Sequence, residues 1–145
     1  MSEKLKQILN NAIKDEEYFA NFYSMAAKKT EVESARKLFI TLADQELLHK
    51  QKLESLSFDP EAIIPDKVED VEIAQDLMMT PIEEINDIKE VFKMAIKFEI
   101  QAKDMYQQLG ACMADSQAKE LLDKLAAEEE RHETLLKEEM QKVEG

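Results

Sequence analysis

Apolar residues recur through most of this chain at spacings of three and four, the spacing of one face of an α-helix. The pattern holds over four long segments, which are separated by short polar stretches or by a segment containing proline. The fold class that follows is all-α, a bundle of four helices. The predicted helices cover residues 3–29, 32–56, 81–109 and 115–143.

The connections between the predicted helices differ greatly in length. The first break is so short that the first two helices must form an antiparallel hairpin. The second connection contains Pro60 and Pro65, which break helices, and its residues 68–79 have room for one short helix. A connection of this length can travel the length of a bundle, which lets the second and third helices run parallel. We predict one domain over residues 1–145, with a hairpin at 3–56, a crossover at 57–80 and a hairpin at 81–143.

The third helix carries start and stop signals. Thr80 can cap the helix, Pro81 suits its first turn, and Glu83 completes a capping box. Gly110 marks the region where the same helix ends. These signals predict a helix that begins at Pro81 and ends near Leu109.

The two hairpins are copies of one another in sequence. Residues 42–53 and 125–136 share Leu, Ala, Glu, His and Leu at equal positions, and the offset of 83 residues extends back to about Leu5 without a gap. An ungapped internal repeat indicates one supersecondary unit used twice. We therefore expect an approximate two-fold axis between the hairpins.

Each copy of the repeat sets charged residues into its apolar stripe. The second and fourth helices each carry Glu-x-x-His, and residues three apart in a helix share a face. The first and third helices each add one glutamate to the same stripe. The six inward polar residues are Glu16, Glu46, His49, Glu99, Glu129 and His132.

Four carboxylates that face one core would not be tolerated as bare charges, because each buried unpaired carboxylate costs several kcal/mol. Two divalent cations would neutralise them. A Glu from each of two helices and Glu-x-x-His from each of the other two is the ligand set of carboxylate-bridged dimetal bundles. Mixed carboxylate and imidazole ligation suits iron or manganese better than magnesium or calcium. We predict two iron ions, with manganese or a mixed pair as the alternative.

Several residues near the predicted ligands admit two interpretations. Tyr23 and Tyr106 lie two turns after the inward glutamates of their helices, where they either pack in the core or hydrogen-bond the ligand carboxylates. A lone Glu-x-x-His on a helix is common, and only its repetition at one register favours a metal site. Three further glutamates lie off the inward stripe and are interpreted as a solvated face: Glu128, Glu130 and Glu133.

The amino-acid composition and net charge of the chain limit the kinds of molecule that it is expected to bind. The chain has 145 residues and a net charge of −13, which argues against binding to nucleic acids or to anionic membranes. A single cysteine, Cys112, excludes an internal disulfide and fits a reducing, cytoplasmic compartment. We expect no signal peptide and no membrane-spanning segment, because no apolar run is long enough.

These motifs resemble those of the ferritin-like diiron family and, within it, the rubrerythrins. The resemblance covers both hairpins, and its most specific part is residues 38–46 together with His49. It implies a ferritin-like four-helix bundle around two irons. It also implies that Glu46 and Glu129 bridge the two irons and that Glu16 and Glu99 are terminal ligands. His49 and His132 would complete the two coordination spheres.

Two departures from the rubrerythrin pattern bear on function. Rubrerythrins typically carry a rubredoxin-like iron site held by Cys-x-x-Cys pairs. This chain has none, so electrons would come from a separate donor protein. Many also carry a further glutamate one turn after the ligand of the third helix, where this chain has Ala102 and Lys103. Ferritins that form cages generally have a fifth helix after the fourth, and none is predicted here.

The resemblance implies an oxidoreductase that reacts with peroxide or dioxygen, or that oxidises ferrous iron. The six ligands would form its catalytic centre, with Tyr23 and Tyr106 around it. An iron carrier or sensor without turnover would use the same ligands, and a metal-free structural bundle would instead bind a partner through its acidic surface. We also expect a homodimer, in which the crossover could connect hairpins of different chains.

Overall fold

The structure, a computed structural model, describes residues 3–56, 65–69, 71, 82–114 and 117–144. Within these ranges the chain forms α-helices and no β-strand, which confirms the all-α class and the four long helices. A short 3₁₀ helix, Ile82–Glu84, precedes the third long helix. The α-helices are α1 (Glu3–Lys29), α2 (Glu33–Glu54), α3 (Pro65–Glu69), α4 (Ile88–Ala111) and α5 (Gln117–Glu144).

The third long helix begins later than its sequence predicts. Residues 85–87 are not helical, and α4 starts behind Asp87, whose carboxylate accepts a hydrogen bond from the backbone N–H of Lys89 at 2.9 Å. The predicted start at Pro81 is therefore wrong. Aspartate is a stronger N-cap than threonine, and Asp87 has the extended backbone that a cap requires. The predicted caps, Thr80 and the side chain of Glu83, lie outside the described residues.

At its other end, α4 stops close to the predicted position. The helix ends at Ala111, two residues after Leu109, and Gly110 lies in its last turn, as predicted. A Cβ atom on Gly110 would lie 2.7 Å from Oδ1 of Asp123 in α5. The glycine therefore leaves room for the carboxylate of Asp123, whose side chain is 54% exposed.

Little of the crossover between the hairpins is described. Its short helix, α3, lies at Pro65–Glu69, earlier than the predicted stretch at 68–79. Val68 and Val71 are buried, and backbone N–H of Val71 donates to the carbonyl of Val68. The remainder of residues 57–80 lies outside the described part of the chain. The described part packs against α1.

Side-chain contacts define the directions of the long helices. α1 pairs with α2, and α4 pairs with α5. Tyr23, late in α1, bonds Glu99 in the middle of α4, whereas Tyr106, late in α4, bonds Glu16 in the middle of α1. Reciprocal contacts of this kind require α1 and α4 to be antiparallel. Since α1 and α2 are also antiparallel, α2 and α4 run parallel, as predicted for two hairpins joined by a crossover.

Aromatic rings pack the two hairpins together on one side of the central polar residues. Phe39 of α2 lies 5.1 Å from Phe92 of α4, measured between ring centroids. Phe19 of α1 stacks on Phe98 of α4 at 4.7 Å. These rings are all buried. Among the described helices, none has the combination of length and apolarity that crossing a membrane requires.

The N-cap of α4 gives a test of this helix boundary. Asp87→Ala removes the acceptor for the Lys89 N–H and should lower the free energy of unfolding by about 1 kcal/mol. The control is Asp104→Ala, an exposed position in the middle of the same helix, where alanine favours helix and no loss is expected. Urea unfolding of both variants under one metal condition measures the difference. Equal stabilities of the two variants would contradict the assignment of Asp87 as the cap.

Candidate metal centre

All six predicted ligands come together in the interior of the bundle. α1 and α4 each supply one glutamate, and α2 and α5 each supply a glutamate and a histidine one turn later. None of the six is more than 2% exposed. Their helices place them there because each residue occupies a position in the apolar stripe, so the burial of neighbouring leucines carries the charged groups inward.

The first half of the cluster surrounds His49. Its Nδ1 atom lies 2.7 Å from Oε1 of Glu129, 3.6 Å from Oε2 of Glu16 and 3.9 Å from Oε1 of Glu46. One donor atom from each of these four residues lies within 4.8 Å of the others. That spacing is compatible with coordination of one metal ion by all four residues.

The second half surrounds His132 in the same manner. Its Nδ1 atom lies 3.0 Å from Oε1 of Glu46, 3.4 Å from Oε2 of Glu99 and 3.7 Å from Oε1 of Glu129. These four residues also have donor atoms within 4.8 Å of one another. Glu46 and Glu129 belong to both groups, so the two carboxylates lie between two adjacent positions. The imidazole rings of the two halves are nearly parallel, with centroids 5.8 Å apart.

The oxygens and nitrogens that face the centre of this cluster have no hydrogen-bond partners. Among the described residues, the buried side-chain oxygens and nitrogens without a partner all belong to these six residues. They include both oxygens of Glu46 and of Glu129, and Nδ1 of both histidines. His49 Nδ1 is close to Glu129, but the contact lacks the alignment of a hydrogen bond. Buried polar groups normally have hydrogen-bond partners, so this concentration of unpaired oxygens and nitrogens fits a site for cations.

The outer nitrogens of the two histidines contact residues that the sequence pattern did not identify. Nε2 of His49 donates to Oε2 of Glu128 at 2.6 Å, and Nε2 of His132 donates to Oε1 of Gln45. The interpretation of Glu128 as part of a solvated face is therefore wrong: its side chain is only 33% exposed and reaches across to the other hairpin. The signal that could have identified both residues is their place directly before the glutamates of the repeat.

The other two glutamates predicted for the solvated face form ion pairs with lysines. Glu130 lies 3.4 Å from the ammonium group of Lys103, and Glu133 lies 2.6 Å from that of Lys137. Glu130, with 62% of its side chain exposed, fits the predicted solvated face. Glu133 is only 17% exposed, so that interpretation is wrong for it. Lys103, one turn after Glu99 in α4, forms an ion pair with α5.

Two tyrosines hold the glutamates of α1 and α4. Tyr23 donates to Oε1 of Glu99 and Tyr106 donates to Oε1 of Glu16, each at 2.5 Å. Burial, followed by the charge of the bonded glutamate, raises the pKa of both phenols well above its usual value. The phenols therefore remain protonated donors. Because each engages Oε1, the Oε2 atoms of Glu16 and Glu99 are left facing the cluster.

Burial and mutual repulsion change the proton affinities of the shared carboxylates. Burial, followed by the charges of neighbouring glutamates, raises the pKa of Glu46 and of Glu129 well above the usual value. Burial lowers the pKa of His49, but the carboxylates of Glu16 and Glu128 outweigh it and leave this pKa raised. Without a cation, the cluster therefore takes up protons to reduce its negative charge.

Comparison with known proteins identifies relatives at the level of family and fold. The family model described as Rubrerythrin matches residues 7–140, a range that contains the whole cluster. A crystal structure from Thermotoga maritima, described as a candidate ferritin-like diiron-carboxylate protein, has a TM-score of 0.73 and 25% identity to this chain. The match covers 94% of this chain and 93% of that one. No curated protein matches the chain significantly.

The raised pKa values predict how pH affects the metal-free protein. Glu46 and Glu129 bind more protons in the folded state than in the unfolded state. The stabilising effect of this proton binding is fully present below the pKa that the two glutamates have in the unfolded chain. The free energy of unfolding should therefore fall as pH rises from that value through their pKa in the folded protein. The raised pKa of His49 acts in the same direction above its own unfolded value. Urea unfolding after chelation, at a series of pH values, measures the slope.

The control for this pH dependence replaces the titrating carboxyls. In Glu46→Gln/Glu129→Gln, the two groups no longer ionise, so the decline with rising pH should be shallower than in the parent protein. A parent protein whose stability rises over the same pH range, or a variant with the parent's slope, would contradict the prediction.

The tyrosine contacts predict a loss of metal affinity on removal of a hydroxyl. Tyr23→Phe and Tyr106→Phe should each weaken metal binding by about 10- to 100-fold, the usual effect of losing an outer hydrogen bond to a ligand. Competition with a coloured chelator measures the affinity. Tyr18→Phe is the matched control, because that side chain is 44% exposed on α1. Unchanged affinity in both buried variants would show that the phenols serve packing alone.

Proposed function

The chain belongs to the rubrerythrin family, and from this premise we propose that it is a non-haem diiron oxidoreductase that reacts with peroxide or dioxygen. One observation carries the proposal: unpaired donor atoms from four carboxylates and two imidazoles converge in the interior and divide into two overlapping groups. Four carboxylates balance the charge of two divalent cations. The mixture of carboxylate and imidazole donors favours iron or manganese over magnesium or calcium.

The overlap of the two groups supports a distinct role for each kind of ligand. Glu46 and Glu129 belong to both groups, so we assign them as the bridging carboxylates. Glu16 and Glu99 belong to one group each and are held by tyrosines, so we assign them as terminal ligands. His49 and His132 would each hold one metal ion through Nδ1.

The residues around the site determine what a bound pair of irons could do. Two irons that each change oxidation state by one would supply the two electrons needed to reduce peroxide to water. The surrounding side chains keep bulk water out, since all six ligands are buried. The protonated phenols of Tyr23 and Tyr106 hold the terminal carboxylates in place, and the outer hydrogen bonds of the histidines fix the Nδ1 atoms towards the site.

The chain itself offers little to supply electrons. It contains a single cysteine, so it cannot hold a second iron site of the Cys-x-x-Cys type. One turn after Glu99 the chain has Ala102, which is buried, and Lys103, which pairs with Glu130. Neither side chain is a carboxylate, so this turn adds no ligand to the six. We therefore propose that the electrons come from ferrous iron as substrate or from a separate donor protein.

The proposed activity is tested by oxidation of loaded iron. The protein is loaded anaerobically with two ferrous ions per chain and then mixed with peroxide or with dioxygen, and ferric iron is followed by its absorbance. We expect oxidation that is faster than that of the same concentration of free iron and that repeats when a reductant is supplied. Tight binding with oxidation no faster than in free solution would leave only an iron carrier or sensor.

Variants of the shared carboxylates test the site within the same assay. Glu46→Ala and Glu129→Ala should each lose at least one metal ion per chain, because each removes a bridge. The matched control is Glu130→Ala, which removes an exposed acid next to the site and should bind metal as the parent does. Metal is counted by elemental analysis. Metal that binds only to the folded state should raise the free energy of unfolding of the parent by about 2.7 kcal/mol at a hundredfold excess over Kd. If metal stabilised the parent and all variants equally, the assignment of Glu46 and Glu129 as ligands would be wrong.

A further inference from the structure

The two halves of the cluster match in every ligand but differ in the groups behind their histidines. The offset of 83 residues relates glutamate to glutamate and histidine to histidine at all ligand positions, and tyrosine to tyrosine at Tyr23 and Tyr106. The same offset relates Gln45 to Glu128. Among the hydrogen-bond partners described for the six residues, this pair is the one that differs in chemical type.

Both groups perform the same geometric task. Glu128 and Gln45 each accept the Nε2 proton of a histidine on the opposite hairpin. A carboxylate and an amide oxygen are acceptors, so both fix the tautomer with the proton on Nε2 and the lone pair on Nδ1. In both halves, Nδ1 consequently lies on the side of the shared glutamates.

The two groups differ in charge, and this difference is transmitted through the imidazole. A hydrogen bond to a carboxylate is charge-assisted and roughly twice as strong as one between neutral groups. An acceptor of this kind raises the basicity of a metal-binding histidine. Glu128 also adds a negative charge behind His49, and at 33% side-chain exposure this charge is only partly screened. Gln45 adds no charge behind His132.

We propose that the two metal positions are inequivalent and that the position at His49 fills first, because Glu128 backs it with a carboxylate where Gln45 backs the other with an amide. This inference rests on the proposed function only in requiring that the cluster binds two metal ions. Glu128 acts here as a positioning residue through His49. The preference should be about 10- to 100-fold, the range found for outer hydrogen-bond partners of metal ligands.

Zinc is a suitable probe because it is diamagnetic and undergoes no redox reaction. The chain has 2 histidines, so a nitrogen-15 NMR spectrum of labelled histidine reports each metal position separately. The signals are assigned with His49→Gln and His132→Gln. At one equivalent of tightly bound Zn²⁺, with the two positions binding independently, a tenfold preference places about three-quarters of the ion at His49 and a hundredfold preference about nine-tenths. The second equivalent should then shift the His132 signals.

Exchange of the two outer groups should reverse the order of filling. In Glu128→Gln, both histidines are backed by amides, and in Gln45→Glu, both are backed by carboxylates, so each variant should divide the first equivalent evenly. In the double variant Glu128→Gln/Gln45→Glu, His132 should fill first. Glu130→Gln removes an exposed charge beside Glu128 and should keep the parent's order.

The outcomes separate this inference from the proposed function. Parallel filling of both histidines in the parent, or filling of His132 first, overturns the inequivalence and leaves the dimetal site intact. Failure of Zn²⁺ to shift either histidine overturns both. A double variant that keeps the parent's order shows that the preference does not come from Glu128. Circular dichroism confirms that each variant retains its helices.

Discussion

Four buried carboxylates at the centre of the bundle are the constraint on which the rest of this structure depends. Each occupies a position where a helix of this kind would otherwise place an apolar residue, and each is removed from water. Burial of this much negative charge is costly unless it is neutralised. The surrounding features follow from that cost: the phenol donors, the two imidazoles and the tendency of the shared glutamates to hold protons.

The internal repeat explains how one chain builds such a centre. A single hairpin supplies two glutamates and one histidine, so two hairpins related by an approximate two-fold axis supply the full set. The important contacts cross between hairpins: Tyr23 reaches Glu99, Tyr106 reaches Glu16, and each histidine bonds the opposite hairpin through Nε2. Formation of the centre and packing of the hairpins are therefore coupled, and the aromatic contacts of Phe39 with Phe92 support both.

The departures from symmetry are as informative as the repeat. Aromatic rings on one side of the centre correspond in the other half to smaller or aliphatic residues, as Phe39 corresponds to Leu122. Such differences alter packing and leave the ligands unchanged. The exchange of Gln45 for Glu128 differs from them, because both side chains touch a predicted ligand. A change of charge at that position acts on the chemistry of the centre.

The sequence by itself determined the helices, their pairing and the six residues of the cluster, because helical period and an ungapped repeat place residues on faces without knowledge of their neighbours. It misplaced the start of α4, because the signals at Thr80 and Pro81 favoured an earlier start, whereas the helix begins behind Asp87, the stronger N-cap. It also misjudged Glu128 and overlooked Gln45. Both lie beside the inward stripe of their own helix, and only the approach of the opposite hairpin decides that they meet a histidine.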